Sequence, residues 1–324
     1  MSRRTALFSA AATALLPFFP VRNAAALVPP EPTEHVDTLL FASVRKYIPA
    51  DGGGSFTADR GSALAVGTVT FARGQPGALR KALSLGPGDF VPGSPRLSTG
   101  DQNAEGFVRE TDGREVMLYV HGYRETFVSA ATTTFDLARA IGFDQCAAFF
   151  SWPSTGGTLD YARDRESALW SREHLADLLT ALLRRGSREK VHLVAHSMGT
   201  LLVLESLREV LREGGGARMA RLGAVVLAAP DVDMDLFVQA VERLKPLAER
   251  ITVISAVNDR ALALSSVISG GERAGMVDRE RLERLGVRVA DASEFAAGIL
   301  NHDLYLSNPD VVQVVRRAMD RAGE

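Results

Sequence analysis

The sequence predicts an α/β protein built on a mostly parallel central sheet with helices on both faces. Three observations carry this. From residue 115 onward, short apolar runs alternate with longer segments of helical periodicity. The runs are continuous rather than every-other-residue, as in strands buried on both faces. One run passes through a tight Ser-Gly turn straight into an amphipathic segment, leaving no room for a hairpin.

The runs predicted as strands are Val116–Val120, Ala147–Ser151, Val191–Ala195, Ala224–Ala228, Ile251–Ala256 and Val287–Val289. Helices are expected between them over Thr126–Ala140, Leu159–Arg185, Met198–Arg212, Met234–Glu249 and Arg260–Ile268, with a last one after residue 302. Within 159–185, Leu175, Leu178, Leu179, Leu182 and Leu183 repeat at helical spacing, with charges between them. Gly214-Gly215-Gly216 is a stop signal for the helix over 198–212. Upstream, Thr38 to Tyr47 and Ala63 to Phe71 are expected as strands separated by a Gly52-Gly53-Gly54-Ser55 turn. Residues 86–114, rich in Gly, Pro, Ser and Asp, are expected as a long loop. No internal repeat or heptad pattern is present, and 27–324 is expected as a single domain that includes the early strands.

The first residues differ in kind. Arg3 and Arg4 precede an apolar stretch from Thr5 to Phe19, and Asn23-Ala24-Ala25-Ala26 follows. A charged start, a short apolar core and small residues at a cleavage position form an export signal over 1–26. Pro17 and Pro20 interrupt a stretch already short for a membrane span. Ser2-Arg3-Arg4-Thr5-Ala6-Leu7 favours the twin-arginine route, with the general secretory route as the alternative and an uncleaved N-terminal anchor as a third reading. A periplasmic or secreted location follows. The lone cysteine, Cys146, excludes an intramolecular disulfide and opens an apolar run, so it is expected as a buried structural thiol.

Of 324 residues, 23% are charged, and the net charge is −2. No strong field is available to attract nucleic acid. Arg279, Arg281, Arg284 and Arg288 cluster, but Asp278, Glu280 and Glu283 interleave with them, as on a solvated helix face. The sequence does not set an oligomeric state.

The strongest signal is Val191-His192-Leu193-Val194-Ala195-His196-Ser197-Met198-Gly199-Thr200. An apolar strand enters x-Ser-x-Gly and leaves as a helix. Such a turn holds the serine in a strained conformation with its oxygen exposed, as in the nucleophile elbow of the α/β-hydrolase fold. Ala195 and Gly199 are small enough for strand and helix to approach closely. Ala82-Leu83-Ser84-Leu85-Gly86 matches the same short pattern, but no apolar strand precedes it and Pro87-Gly88 follows. Ser197 is therefore the expected nucleophile.

Leu118-Tyr119-Val120-His121-Gly122-Tyr123 reads as a strand ending in His-Gly. In this fold the loop after that strand donates one backbone amide to a developing oxyanion, and the residue after the nucleophile donates the other. By position these are Tyr123 and Met198. His121 then shapes the loop, and Gly122 lets the backbone pass close to substrate. The general base should follow the nucleophile in the chain. Of six histidines, His302 in Asn301-His302-Asp303 meets that order. The acid should end a late strand. Asp259, after Ile251–Ala256, fits best, and Asp231, after Ala224–Pro230, is the rival. Asp231 and Asp233 also fit as caps of the helix that follows.

These pieces resemble a family of bacterial α/β-hydrolases of unknown function. The resemblance rests on Val120-His121-Gly122-Tyr123-Arg124, Phe150-Ser151-Trp152-Pro153-Ser154, Tyr161 with Asp164, Ala195-His196-Ser197-Met198-Gly199, Ala229-Pro230-Asp231-Val232-Asp233 and Asn258-Asp259-Arg260, with the late His302. Phe41-Ala42-Ser43-Val44-Arg45 and Phe56 to Phe71 resemble its opening strands. It implies the fold and a Ser-Asp-His triad, and no substrate.

The chemistry expected is hydrolysis of a carboxylic ester, small or lipid, with peripheral membrane contact one way to reach a lipid. Acyl transfer through the same triad and a non-catalytic binding protein on the same fold are the alternatives. No cofactor is implied, since no Gly-rich phosphate loop follows a strand. No metal site is implied either: His192 and His196 lie on a strand and a turn, and Leu193 replaces the Glu of His-Glu-x-x-His. Tyr161 acquires no role from the sequence, and Trp152, at a strand end, fits core packing better than the wall of a pocket. The charged segment 269–286 follows the acid and is placed to cover a pocket, with little of the apolar surface an interfacial lid would expose.

Overall fold

The apolar runs pair as one twisted sheet. The computed structural model describes residues 37–73, 90–155, 157, 160–184, 188–214, 218–255, 259–277, 279–293 and 308–323. The export signal expected over 1–26 and His302 lie outside these residues. The strands are β1 (Asp37–Ala50), β2 (Gly53–Arg73), β3 (Phe90–Pro92), β4 (Arg96–Leu97), β5 (Val116–Val120), β6 (Cys146–Ser151), β7 (Val191–His196), β8 (Leu222–Ala228), β9 (Ile251–Ser255) and β10 (Arg288–Asp291). They lie in the order β10-β9-β8-β7-β5-β6-β1-β2-β3, with β4 also on β2. Every pair from β10 to β1 is parallel, and β2 turns antiparallel on β1. The strands β5, β7, β8 and β9 are buried along their whole length, which is why their sequences show no alternation.

The described helices are α1 (Ala104–Glu110), α2 (Phe127–Ile141), α3 (Tyr161–Trp170), α4 (Arg172–Arg184), α5 (Gly199–Arg212), α6 (Met234–Arg243), α7 (Arg260–Ser269), α8 (Arg279–Glu283) and α9 (Pro309–Gly323). Two apolar cores result, one on each face. On one, Val116, Leu118, Val120, Leu193 and Val225 meet leucines of α4 and α5. On the other, Met117, Tyr119, Phe149, Val194 and Val226 meet α2 and α9 through Phe135, Leu137, Val311 and Val315.

Four expectations change. Gly53, Gly54 and Ser55 belong to β2, and only Asp51-Gly52 turns, with Gly52 at φ +78°. The hairpin is therefore longer than its apolar segments, because Arg60, Phe56 and Gly53 continue the ladder past two register shifts. The loop expected over 86–114 contains α1, whose cap Asn103 accepts from the Gly106 amide and whose Phe107 is fully buried. The helix expected over 159–185 is two helices meeting at Ser171, whose hydroxyl donates back to the Ser167 carbonyl at 2.7 Å. The helix expected over 234–249 stops at Arg243, and Pro246 falls in a 3-10 turn over Lys245–Arg250.

Candidate active site

Chain order reverses between β5 and β7. In open α/β sheets the crevice at such a switch point, beyond the carboxyl ends of the strands, is where ligands bind. Both sequence signals end there: His121-Gly122 follows β5, and Ser197 follows β7.

Ser197 is a non-glycine residue at φ +50°, a conformation that L-residues enter only when the surroundings enforce it. The enforcing contacts are visible. Its amide donates to the Ala228 carbonyl at 2.9 Å, and its own carbonyl accepts from the amides of Thr200 and Asp231 and the hydroxyl of Thr200. Ala228 ends β8, so the turn is clamped by the neighbouring strand as well as by α5. Gly199 opens α5 against the end of β5. A Cβ there would lie 2.4 Å from the His121 carbonyl oxygen and 2.6 Å from that of Val120. Gly122 is close too, though less tight: a Cβ would lie 2.9 Å from His196 Nδ1 and 3.1 Å from Ser197 Cβ. The His-Gly loop and the elbow are thus in contact, as expected for these two motifs.

His121 is fully buried and stacks on Trp152, with ring centroids 4.8 Å apart. Its Nδ1 donates to the Gly122 carbonyl at 2.9 Å, and its Nε2 accepts from the Trp152 amide at 3.1 Å. Trp152 returns a bond from its indole N–H to the His121 carbonyl at 2.8 Å. Burial first, and then the Arg45 charge, push the imidazole down to about 4, so it is neutral near pH 7. Both ring nitrogens are committed, and His121 holds the loop's shape. Trp152 is the other half of that lock.

Three polar residues that the sequence left without a site role complete the frame. Arg45 of β1 is buried. It donates to Ser151 Oγ at 2.8 Å, to the Ser154 carbonyl at 2.9 Å and to the Glu125 carbonyl at 2.7 Å, and its Nη2 lies 3.4 Å from His121 Nε2. Burial lowers its guanidinium to about 10, against the opposing pull of Asp164 and Glu125. Asp164 accepts from the Ser154 hydroxyl and from the Thr155 amide at 2.9 Å. Glu125 Oε1 accepts from the Tyr119 hydroxyl at 2.9 Å and the Gly122 amide at 3.0 Å, and lies 3.7 Å from His196 Nδ1. Burial raises the Glu125 carboxyl, but the neighbouring His196, His121 and the Gly122 amide outweigh it and hold it below the usual range. His192 has a separate task. Its Nδ1 accepts from the Ala224 amide and its Nε2 lies 2.5 Å from Glu115 Oε1, at the opposite end of β7 from the elbow.

The two candidate acids differ in surroundings. Asp231 is buried against Tyr161, whose hydroxyl donates to Oδ2 at 3.1 Å, and Ser265, whose Oγ lies 2.5 Å from Oδ1. The buried Arg273 places Nε 3.4 Å from Oδ1. Tyr161 meets the ring of Tyr123 edge-on at 5.5 Å, and the Tyr123 hydroxyl donates to the Gly157 carbonyl. Asp259 is buried beyond the end of β9, two strands from β7. Its Oδ1 caps α7 by accepting from the Ala261 and Leu262 amides. Asp233, not Asp231, caps α6. Ser197, Gly122 and His121 are brought together, Met198 and Tyr123 adjoin them in the chain, and Asp231 is tied to the elbow through its amide.

The segment expected to cover the pocket is in part bonded to the chain over 230–234. The amides of Met234, Ala274 and Gly275 donate to Glu272, Val232 and Pro230, and Arg273 and Ala274 are buried.

Residues 99–318 match the model of a family described as alpha/beta hydrolase of unknown function (DUF900). The chain belongs to that family. This DUF900 member is 38% identical over 64 residues to an uncharacterised protein of Nostoc sp., a match spanning 20% of this chain and 17% of that one. Among solved structures it is similar to an esterase of Pyrobaculum calidifontis, at 13% identity over 90% of this chain and 87% of that one, with a TM-score of 0.36. It is likewise similar to a dienelactone hydrolase of Anabaena variabilis, at 10% identity over 86% and 99%, with a TM-score of 0.41. Strands β1 to β4 precede the matched stretch, so Arg45 enters the DUF900 site from outside it.

Proposed function

We propose that this alpha/beta hydrolase is a serine hydrolase that cleaves carboxylic esters through Ser197, with His302 as general base and Asp259 as the acid that orients it. The observation that carries the reading is Ser197 at φ +50°, held at a strand-helix turn in contact with the His121-Gly122 loop. The Ser197 oxygen attacks the ester carbonyl carbon while His302 takes its proton. The tetrahedral oxyanion is held by the amides of Tyr123 and Met198. The neighbouring amides support this pairing, since that of Gly122 is taken by Glu125 and that of Ser197 by Ala228. Collapse breaks the ester C–O bond, and His302 returns the proton to the departing alcohol. Water then repeats the attack on the acyl-enzyme and regenerates the serine.

Asp259 is favoured by its place beyond the end of a late strand, β9, and Asp231 is held by Tyr161, Ser265 and Arg273. We also propose that residues 1–26 direct export. Expression with and without them, followed by cell fractionation, tests that. The enzyme reading is tested with a fluorophosphonate probe on the purified protein beside Ser197→Ala, with the adduct located by peptide mass. Labelling at Ser197, absent in the variant, is expected. A folded protein that stays unlabelled refutes the reading.

A further inference from the structure

Glu125 is a half-buried residue whose carboxylate has an unusual set of neighbours. A carboxylate removed from water calls for donors; here those on Oε1 are parts of the site, while Oε2 is buried without a hydrogen-bond partner among the described residues. Its Oε1 receives the amide of Gly122, just before the Tyr123-Arg124 turn, and the hydroxyl of Tyr119 on β5. It faces His196, the residue immediately before the nucleophile, at 3.7 Å. One oxygen thus joins the strand before the loop, the loop itself and the elbow. The Glu125 backbone is fixed from another direction, because its carbonyl accepts from Arg45 on β1 at 2.7 Å. Arg45 in turn holds the loop after β6 through Ser151 and Ser154. The next residue, Thr126, begins a capping box with Ser129 that starts α2, so the chain on the far side of Glu125 is anchored too. Between Gly122 and Glu125 lies Arg124 at φ +66°, a strained residue that such a clamp must hold in place.

We infer that Glu125, braced by Arg45, is a positioning residue that sets the Tyr123 amide against the nucleophile elbow by bonding the Gly122 amide and facing His196. The inference rests on the serine-hydrolase reading, but its structural half stands apart from it. By consuming the Gly122 amide, Glu125 leaves the next amide, that of Tyr123, to face the substrate. It also explains why this stretch holds an acid: a neutral apolar side chain would fill the space and leave the loop amide without an acceptor.

The test uses the whole protein, Glu125→Met, which keeps the volume and removes the acceptor, and Glu125→Gln, which keeps an acceptor oxygen and removes the charge. Hydrogen exchange is followed on peptides covering 119–127, and the rate of fluorophosphonate labelling at Ser197 is measured alongside. In Glu125→Met the loop amides are expected to exchange at least about tenfold faster, with the rest of the sheet unchanged. Labelling should slow by about a hundredfold, the scale of losing one oxyanion donor. With an ester substrate the loss should fall on kcat, with KM within about threefold. Glu125→Gln should recover the exchange protection and all but about tenfold of the rate. Wild-type loop protection and wild-type labelling in folded Glu125→Met overturn the inference. If Glu125→Met does not fold, Glu125→Gln decides, and an unprotected Gly122 amide there overturns it. Wild-type protein that shows the protection pattern but never labels refutes the hydrolase reading and leaves the clamp standing.

Discussion

Replacing Gly199 with alanine separates the cost of folding this site from the cost of misaligning it. The new Cβ would stand 2.4 Å from the His121 carbonyl oxygen and 2.6 Å from that of Val120. Both are backbone atoms, so no rotamer change relieves the contact. Real Cβ atoms essentially never come within 3.0 Å of such a neighbour, so α5 and the end of β5 must part by at least about 0.6 Å. Overpacking of this kind costs about 1–3 kcal/mol. Alanine recovers at most about 1 kcal/mol of helix propensity at the start of α5. With that gain in full the net loss is about 0–2 kcal/mol, read as a lower urea midpoint at unchanged slope. The displacement falls on the His121-Gly122 loop. Since a misplacement near 1 Å can cost about a hundredfold in rate, labelling of Ser197 should slow by roughly 10–100-fold. Gly142→Ala is the companion variant. Gly142 closes α2 at φ +69° with open space around it, so alanine there strains the backbone by about 1–2 kcal/mol without touching the site. If Gly199→Ala loses stability like Gly142→Ala but labels at the wild-type rate, contact between the elbow and the loop does not govern the chemistry.

Three further outcomes follow from the same frame. His121 sits near 4 in the folded protein and at its ordinary 6.5 when unfolded, so the unfolded chain binds the extra proton between those values. Stability therefore falls as pH drops from 6.5 to 4, on the order of 3 kcal/mol in all. Urea midpoints across that window should show a visibly flatter slope in His121→Gln, and equal slopes would contradict the assignment. Asp259→Asn should cut labelling of Ser197 by on the order of 10³-fold or more, whereas Asp231→Asn should stay within about tenfold; the reverse ranking would exchange the two acids. Arg273→Met removes the cation beside buried Asp231 and should cost about 3–5 kcal/mol in chemical denaturation, against near neutrality if the pair were solvated.

What could be read from the chain depended on how local each signal was. The elbow is written in ten consecutive residues, because a strand, a strained serine and a helix must follow one another without a break. The strand runs were readable for a similar reason: burial on both faces leaves a string of Val, Leu, Ile and Ala that no surface segment carries. The residues that hold the site together were not readable in that way. Arg45 bonds Ser154 from 109 positions away, and Glu125 meets His196 across two strands. An arginine or a glutamate in isolation reads as surface, since such residues are seldom buried unless paired, and the pairing exists only once the sheet has formed. Trp152 stood beside a predicted strand end, but its stacking on His121 depends on β6 lying next to β5. Tyr161 had no visible role because its partners, Asp231 and Ser265, arrive from the far half of the chain. The division has a physical cause. The strand-helix turn that strains Ser197 is written in adjacent residues, while the contacts that clamp it, from Ala228 and Asp231, and those that hold the His121-Gly122 loop, from Arg45 and Glu125, come together only in the fold.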